Sequence, residues 1–189
     1  MPSTPPSGNV QHLSGIAVLS ARRVLCDLVG EEAVARGLVN ASESARNDYE
    51  AASPMSWVLH ASVIEVHEAI AKEAGEDIEK LALTVTEISV DRLFSTVWRI
   101  FLRFVSDETL ISRTPLMYSR TRSLGTMEAR IVSKANAEVE IAGWPAIPDR
   151  DIAIHRVAIQ RFLVLAGRRA TVRGERTPGG ARYRVQWQE

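Results

Sequence analysis

The last third of the chain alternates apolar and polar residues, which is the pattern of β-strands. In the first run, Met127, Ala129 and Ile131 alternate with Glu128 and Arg130. The alternation occurs in four runs, at residues 127–131, 137–141, 170–173 and 182–187. Successive side chains of a strand point to opposite faces, so each run has one apolar and one polar face. Because a helical pattern separates the second and third runs, we predict a four-stranded antiparallel ββαββ sheet whose apolar face another layer has to cover.

The residues before the sheet show the three- and four-residue spacing of amphipathic helices. Apolar positions recur in this way over residues 14–29, 31–38, 55–74 and 77–105. We predict helices there, with a break in the last one near 89–92 because it is long for a single helix. Residues 40–53 are polar and predict a loop. A further helix is predicted from Ser106, with Pro115 kinking or ending it.

The predicted fold class is therefore α+β, with helices packed on the sheet. We expect a flexible leader at residues 1–13 and a single domain over 14–189. Within that domain, the helical part spans 14–124 and the ββαββ part spans 125–189.

Composition and charge exclude several classes of protein. The 189 residues are 46% hydrophobic, which suits a globular core rather than a disordered chain. Lys plus Arg and Asp plus Glu both number 23, so no net positive charge favours nucleic acid or an acidic membrane. The single cysteine, Cys26, cannot form an internal disulfide, and no apolar run approaches the ~20 residues that span a bilayer. Residues 1–8 lack the features of a secretory signal, so we predict a cytoplasmic protein with no nucleic-acid or membrane partner.

The histidines do not form a metal-binding pattern. His60 and His67 are seven residues apart on one predicted helix, which is too far for both to bind one metal ion easily. Either could singly ligate a haem iron. No serine lies in a Gly-x-Ser-x-Gly elbow and no glycine-rich loop follows a strand. We therefore predict no metal site and no catalytic residues.

The strongest candidate for ligand binding is a polar group where helix meets sheet. Tyr118, Arg120 and Arg122 are side chains that can hold an anion, at a place where pockets commonly form. The alternative is that Tyr118 packs in the core while the arginines are solvated or pair with glutamates of the sheet. On the predicted covering helices, Trp57 and Trp98 could line a cavity or fill it.

A series of segments along the chain forms a further pattern, carried by scattered glycine, proline, aromatic and charged positions. The first segment is residues 19–38, with Arg22, Arg23, Gly30 and Glu31, and it is followed by residues 54–57, 73–75, 101–110, 118–125, 138–145 and 183–187. In this order they resemble a paralogous family of uncharacterised myxobacterial proteins. That family is distantly similar to the haem/nitric-oxide-binding (H-NOX) domain and to the vinyl-reductase domain, which binds small molecules. The resemblance implies helices on a ββαββ sheet and no established activity.

The H-NOX domain carries a Tyr-x-Ser-x-Arg motif that holds the haem propionates. Tyr118 and Arg122 stand at its first and fifth positions, and Arg120 stands in place of the serine. That domain also has a proximal histidine close upstream of the tyrosine. The nearest upstream histidine in this chain is His67, some fifty residues before Tyr118.

These observations predict a non-catalytic module of bacterial signalling that senses a small-molecule ligand or contacts a signalling protein. We expect no bound cofactor and a pocket between helices and sheet. One alternative is a haem-based gas sensor that uses His60 or His67 with Tyr118 and Arg122. Another is an enzyme acting on a small organic anion near Arg120 and Arg122. Edge strands of an open sheet can pair between copies, so we also expect that the chain can form a homodimer.

Overall fold

The chain folds into two compact units of helices and strands. The computed structural model describes residues 8–93 and 104–188, with the single positions 4, 6 and 102. Unit 1 comprises Met1–Val85 and Arg120–Leu124, and unit 2 comprises Thr86–Ser119 and Gly125–Glu189. The predicted α+β class and the four-stranded antiparallel sheet are both confirmed. None of the helices within the described residues is long and apolar enough to cross a membrane.

Unit 1 is mainly helical, with one small two-stranded sheet. Its elements are β1 (His12–Ser14), α1 (Gly15–Val29), α2 (Glu31–Asn40), α3 (Glu43–Glu50), β2 (Trp57–Leu59), α4 (His60–Ala74) and the first part of α5 (Ile78–Leu93). Strands β1 and β2 are antiparallel, with Leu13 opposite Val58. The Ser14 hydroxyl caps α1 by accepting the Ala17 N–H. At Gly37 a Cβ atom would lie 2.6 Å from the Ile70 Cα, so glycine allows α2 to approach α4 closely.

Unit 2 contains the large sheet. Its elements are the end of α5, α6 (Asp107–Thr121, of which Arg120 and Thr121 fall in unit 1), β3 (Thr126–Ser133), β4 (Asn136–Ala142), α7 (Asp149–Leu165), β5 (Arg169–Thr177) and β6 (Gly180–Gln188). The strand order is β3-β4-β6-β5 and every neighbouring pair is antiparallel. Helix α7 separates the two hairpins along the chain and packs on β5 and β6.

The apolar face of this sheet forms the core of unit 2. Val139 and Ile141 have no exposed surface, and Val172, Val185 and Trp187 are at most 6% exposed. These residues come from β4, β5 and β6, so the apolar sets of three predicted strands lie in one interior. The predicted core is confirmed.

Two elements of unit 1 differ from the prediction. Residues 40–53 were predicted as a loop, but they contain helix α3. The Ser42 hydroxyl caps this helix, and Ala45 and Tyr49 are buried one turn apart on its inner face. The helix predicted from residue 55 begins only at His60, because the residues of β2 pair with β1 instead.

Two further predictions about element boundaries are wrong, and a third is narrowed. The expected break near residues 89–92 is absent, since α5 continues through them to Leu93. Pro115 lies inside α6 and does not end it, so of the two predicted effects the kink stays a prediction. His12 and Leu13, assigned to the flexible leader, form strand β1.

Candidate functional site

Several predicted site residues of unit 1 meet at strand β1. Trp57 lies on β2, opposite Ser14 of β1. On the other side of β1, Arg122 forms an antiparallel bridge with Leu13. His60 follows β2 directly, and its N–H donates to the Gln11 carbonyl oxygen at 3.0 Å. Arg122 and Val58 both lie opposite Leu13, so the side chain of Trp57, the neighbour of Val58, points to the other face of the small sheet. We call Gln11, His60 and Arg122 the β1 site.

The backbone around Arg122 is held by the residues before and within β1. The Leu124 N–H donates to the Gln11 Oε1 at 2.7 Å, and the Ser123 N–H donates to the His12 carbonyl at 3.1 Å. In return, the His12 N–H donates to the Ser123 Oγ at 2.8 Å. Arg122 therefore projects from a backbone that is fixed by its own bridge to β1 and by the hydrogen bonds of the two residues that follow it. A fixed backbone reduces the entropy that an arginine loses when it binds an anion.

Gln11 leaves a buried donor at this site. The residue is 6% exposed, and its Oε1 is used by Leu124. Its Nε2 is buried and has no acceptor among the described residues. A buried N–H group without a partner costs about 1–3 kcal/mol, and a ligand oxygen placed there would recover that cost. Arg122, two residues before Leu124, is half-buried.

Arg120 differs from Arg122 although both were predicted to bind a ligand. The Arg120 side chain is exposed, whereas Arg122 is half-buried. Trp57 and His60 are also half-buried, which leaves each accessible to a ligand. Trp98 lies outside the described residues.

His67 is engaged in the interior of unit 1. Its Nε2 lies 3.2 Å from the Tyr49 hydroxyl, and the two rings meet edge to face at 5.7 Å. Tyr49 has no exposed surface. Burial raises the pKa of the Tyr49 phenol well above its usual range, an effect that the nearby Arg22 charge partly opposes. The His67 ring thus has a structural partner in the core.

Tyr118 belongs to unit 2, where it packs in an aromatic cluster around His155 of α7. The ring centroids of Tyr118, Trp144 and Tyr183 lie 5.6, 6.3 and 6.3 Å from that of His155. The His155 Nδ1 is 3.3 Å from the Tyr183 hydroxyl. All four residues are at most 7% exposed, and Asp151, one turn before His155, is completely buried. The cluster is an interior polar network rather than an open surface.

Two glycines make room for this cluster. A Cβ at Gly174 of β5 would lie 3.0 Å from the Tyr183 ring. A Cβ at Gly125, where φ is +80°, would lie 3.2 Å from the Tyr118 hydroxyl and 2.8 Å from the Ala142 carbonyl oxygen. The Tyr118 hydroxyl is therefore positioned against the backbone that enters β3.

Gln11 and the cluster around His155 were not predicted from the sequence. Gln11 was assigned to the leader, and His155 had no partner nearby in sequence. Their neighbours come from distant segments: His60 and Leu124 for Gln11, and Tyr118 and Tyr183 for His155. Among the residues that the structure describes, no group of three or more His, Cys, Asp or Glu side chains could hold a metal ion.

Comparison with solved structures identifies the fold. The H-NOX protein from K. algicida, with unliganded Fe(II), matches with a TM-score of 0.69 and 13% identity over 94% of this chain and 97% of that one. A point mutant of the T. tengcongensis H-NOX matches with a TM-score of 0.65 and 13% identity over 94% and 98% of the two chains. The S. oneidensis H-NOX protein in its Fe(II)NO state gives a TM-score of 0.68 and 8% identity over 94% and 100%. No protein-family model and no curated protein matches the sequence. The chain thus has the fold of H-NOX domains.

Gln11 Nε2 and the Arg122 guanidinium are hydrogen-bond donors, and donors of these kinds bind carboxylates. A histidine ligand for an iron would have to be one of the four in the chain, at positions 12, 60, 67 and 155. None lies shortly before Tyr118, where the H-NOX resemblance places the proximal ligand. His67 and His155 pack against tyrosines, whereas His60 belongs to the β1 site.

Proposed function

We propose that this chain is a non-catalytic sensor domain whose ligand carries a carboxylate held at the β1 site. Similarity to H-NOX proteins over nearly the whole of both chains supports a sensor domain over a protein-interaction module. The observation that carries the ligand class is the buried Gln11 Nε2, which has no acceptor in the described part of the chain, next to the segment that carries Arg122. An amide N–H and a guanidinium together recognise a carboxylate.

Haem is the carboxylate-bearing ligand that the structural neighbours favour. In this proposal Arg122 and Gln11 hold a propionate, and His60 is the candidate axial ligand. Haem, when bound, supplies an iron that takes up a diatomic gas. The sensor would then be of the gas-sensing type rather than a sensor of another organic acid.

The binding test depends on three variants. Arg122→Ala removes the half-buried guanidinium, and Arg120→Ala removes the exposed one as a matched control. Gln11→Glu keeps an oxygen for the Leu124 N–H and replaces the Nε2 donor with a negative oxygen. Haem is titrated into each apoprotein and followed by Soret absorbance and tryptophan quenching. Affinity should fall at least tenfold in Arg122→Ala and Gln11→Glu and stay unchanged in Arg120→Ala.

The role of His60 is tested in the same titration. His60→Ala should remove the spectrum of a histidine-bound iron while leaving binding of iron-free protoporphyrin unchanged, because the latter has the carboxylates and no metal. Binding of both porphyrins that is independent of His60 would reject the gas-sensing assignment and leave a carboxylate sensor. Equal affinity of all arginine and glutamine variants would reject the β1 site itself.

A further inference from the structure

Strand β3 is an edge strand whose apolar face is poorly covered. The sheet order places β3 and β5 at the two edges. On β5, Ala170 and Val172 are 8% and 3% exposed, because α7 packs against that strand. On β3, Ile131 is 39% exposed and Met127 and Ala129 are only half-buried. An edge strand also directs alternate N–H and C=O groups away from its sheet, so β3 offers both backbone and apolar groups to a partner.

We propose that β3 pairs antiparallel with β3 of a second copy of this chain, about a two-fold axis at Ala129. Such an axis, perpendicular to the sheet, keeps the apolar faces of both sheets on the same side. It places Met127 opposite Ile131 of the second copy and Ala129 opposite its own equivalent. On the other face, it places Glu128 opposite Arg130 of the second copy, and the symmetry produces this pair twice.

The charges select this register over its neighbours. If the two strands slide past each other by two residues, the same faces stay aligned. The two-fold axis then passes through residue 128 or residue 130. An axis at 128 places two copies of Glu128 opposite each other, and an axis at 130 does the same for Arg130. Like charges directly opposite destabilise a strand pair and opposite charges stabilise it. The register at Ala129 is the one of the three that matches every charge.

The charges on β3 and β4 of one chain also favour pairing of β3 with a second copy. Glu128 lies opposite Glu140 of β4, and Glu140 forms its own ion pair with Arg182 of β6 at 3.6 Å. Arg130 lies opposite Glu138, and their side chains form an ion pair of 2.8 Å. Glu128 thus faces a like charge on its inner side, and a second copy would bring an arginine to its outer side. On the polar face of the sheet, the row of side chains now ends in Glu140 and Glu128. The arginine of the second copy would extend this row with an opposite charge.

The test uses complementary charge reversals. Glu128→Arg gives each copy two positive charges on β3, and Arg130→Glu gives each copy two negative charges. When the two variants are mixed, each arginine on β3 of the first lies opposite a glutamate on β3 of the second. The double variant Glu128→Arg/Arg130→Glu restores opposite charges at both pairs of a homodimer.

The double variant and one further variant, Arg173→Glu, serve as controls. The double variant keeps one like and one opposite pair with β4, as the wild type does, so it is a matched control for folding. Arg173→Glu on the exposed face of β5 controls for a general change of charge.

Mass is measured by sedimentation velocity over a concentration series at low and moderate salt, with circular dichroism as a check of folding. The wild type, Arg173→Glu and the double variant should dimerise. Each single β3 variant should dimerise at least tenfold more weakly, and the equimolar mixture should recover dimers. A monomeric wild type at all concentrations would overturn the proposal. Dimers that are insensitive to Glu128→Arg, or a mixture that fails to associate while the double variant is folded, would overturn the β3 register.

Discussion

Replacing Gly125 by alanine tests how the Tyr118 hydroxyl is positioned. Gly125 has a φ of +80°, a conformation that costs an L-residue about 1–2 kcal/mol. The new Cβ would also lie 2.8 Å from the Ala142 carbonyl oxygen and 3.2 Å from the Tyr118 hydroxyl. Because the first contact is with backbone, the start of β3 has to shift. Overpacking of this kind costs about 1–3 kcal/mol more.

Gly143→Ala is the matched control, because Gly143 has the same φ of +80° and lies near Gly125. Its Cβ would meet only the Gly125 Cα, at 3.5 Å, which is an ordinary contact. The two variants therefore share the backbone cost and differ in the steric one. We expect Gly125→Ala to be less stable than Gly143→Ala by about 1–3 kcal/mol.

The assay is urea unfolding followed by far-UV circular dichroism. With a slope of about 1–3 kcal/mol per M, the midpoint of Gly125→Ala should lie about 1 M below that of Gly143→Ala. Adding Tyr118→Phe to Gly125→Ala removes the hydroxyl and should recover part of the loss, as a double-mutant cycle would show. Equal midpoints for the two glycine variants would refute the steric argument. Full additivity would show that the hydroxyl does not contact this backbone.

Three other predictions concern single side chains. Asp107 accepts the Arg168 Nε–H and the Trp187 Nε1–H, each at 2.8 Å, so Asp107→Ala should cost about 1–3 kcal/mol in urea unfolding. Because burial raises the Tyr49 pKa, the folded state keeps the phenol proton after the unfolded state has lost it. Stability should therefore fall as the pH rises above about 10 in the wild type and fall less in Tyr49→Phe. Glu65 accepts a backbone N–H at the start of α3, which lowers the pKa of its carboxyl. Its contribution to stability should be present above about pH 4.5 and lost on acidification, and a pH series of Glu65→Gln against wild type measures this.

The sheet could be predicted because its signal is local. In β4 and β6 every second residue is apolar, and those residues are the buried ones. Helix α3 was missed since only Ala45 and Tyr49 of its eight residues face the core, although the Ser42 cap and their four-residue spacing were visible in the sequence. Strand β2 was read as part of a helix because its three apolar residues carry no alternation. Its pairing with β1 is a contact between segments more than forty residues apart.

The residues of the candidate site were predicted only in part, because some of them have a signal that is local in the sequence and others do not. Arg122 was predicted because it stands with Tyr118 and Arg120 where helix meets sheet, and its spacing from Tyr118 also matches the H-NOX motif. The structure places it beside β1. Gln11 gave no signal, since its role arises from hydrogen bonds with Leu124 and His60, which are distant in sequence. Tyr118 was predicted to contact a ligand, and that contact stays a prediction. Its ring packs against His155 in unit 2.

The most direct test of the proposed function is haem binding by the Arg122→Ala and Arg120→Ala apoproteins, measured beside the wild type in one titration. The account predicts that Arg120→Ala binds haem as the wild type does and that Arg122→Ala binds it at least tenfold more weakly. Equal binding by all three proteins, or the absence of haem binding by the wild type, would contradict it.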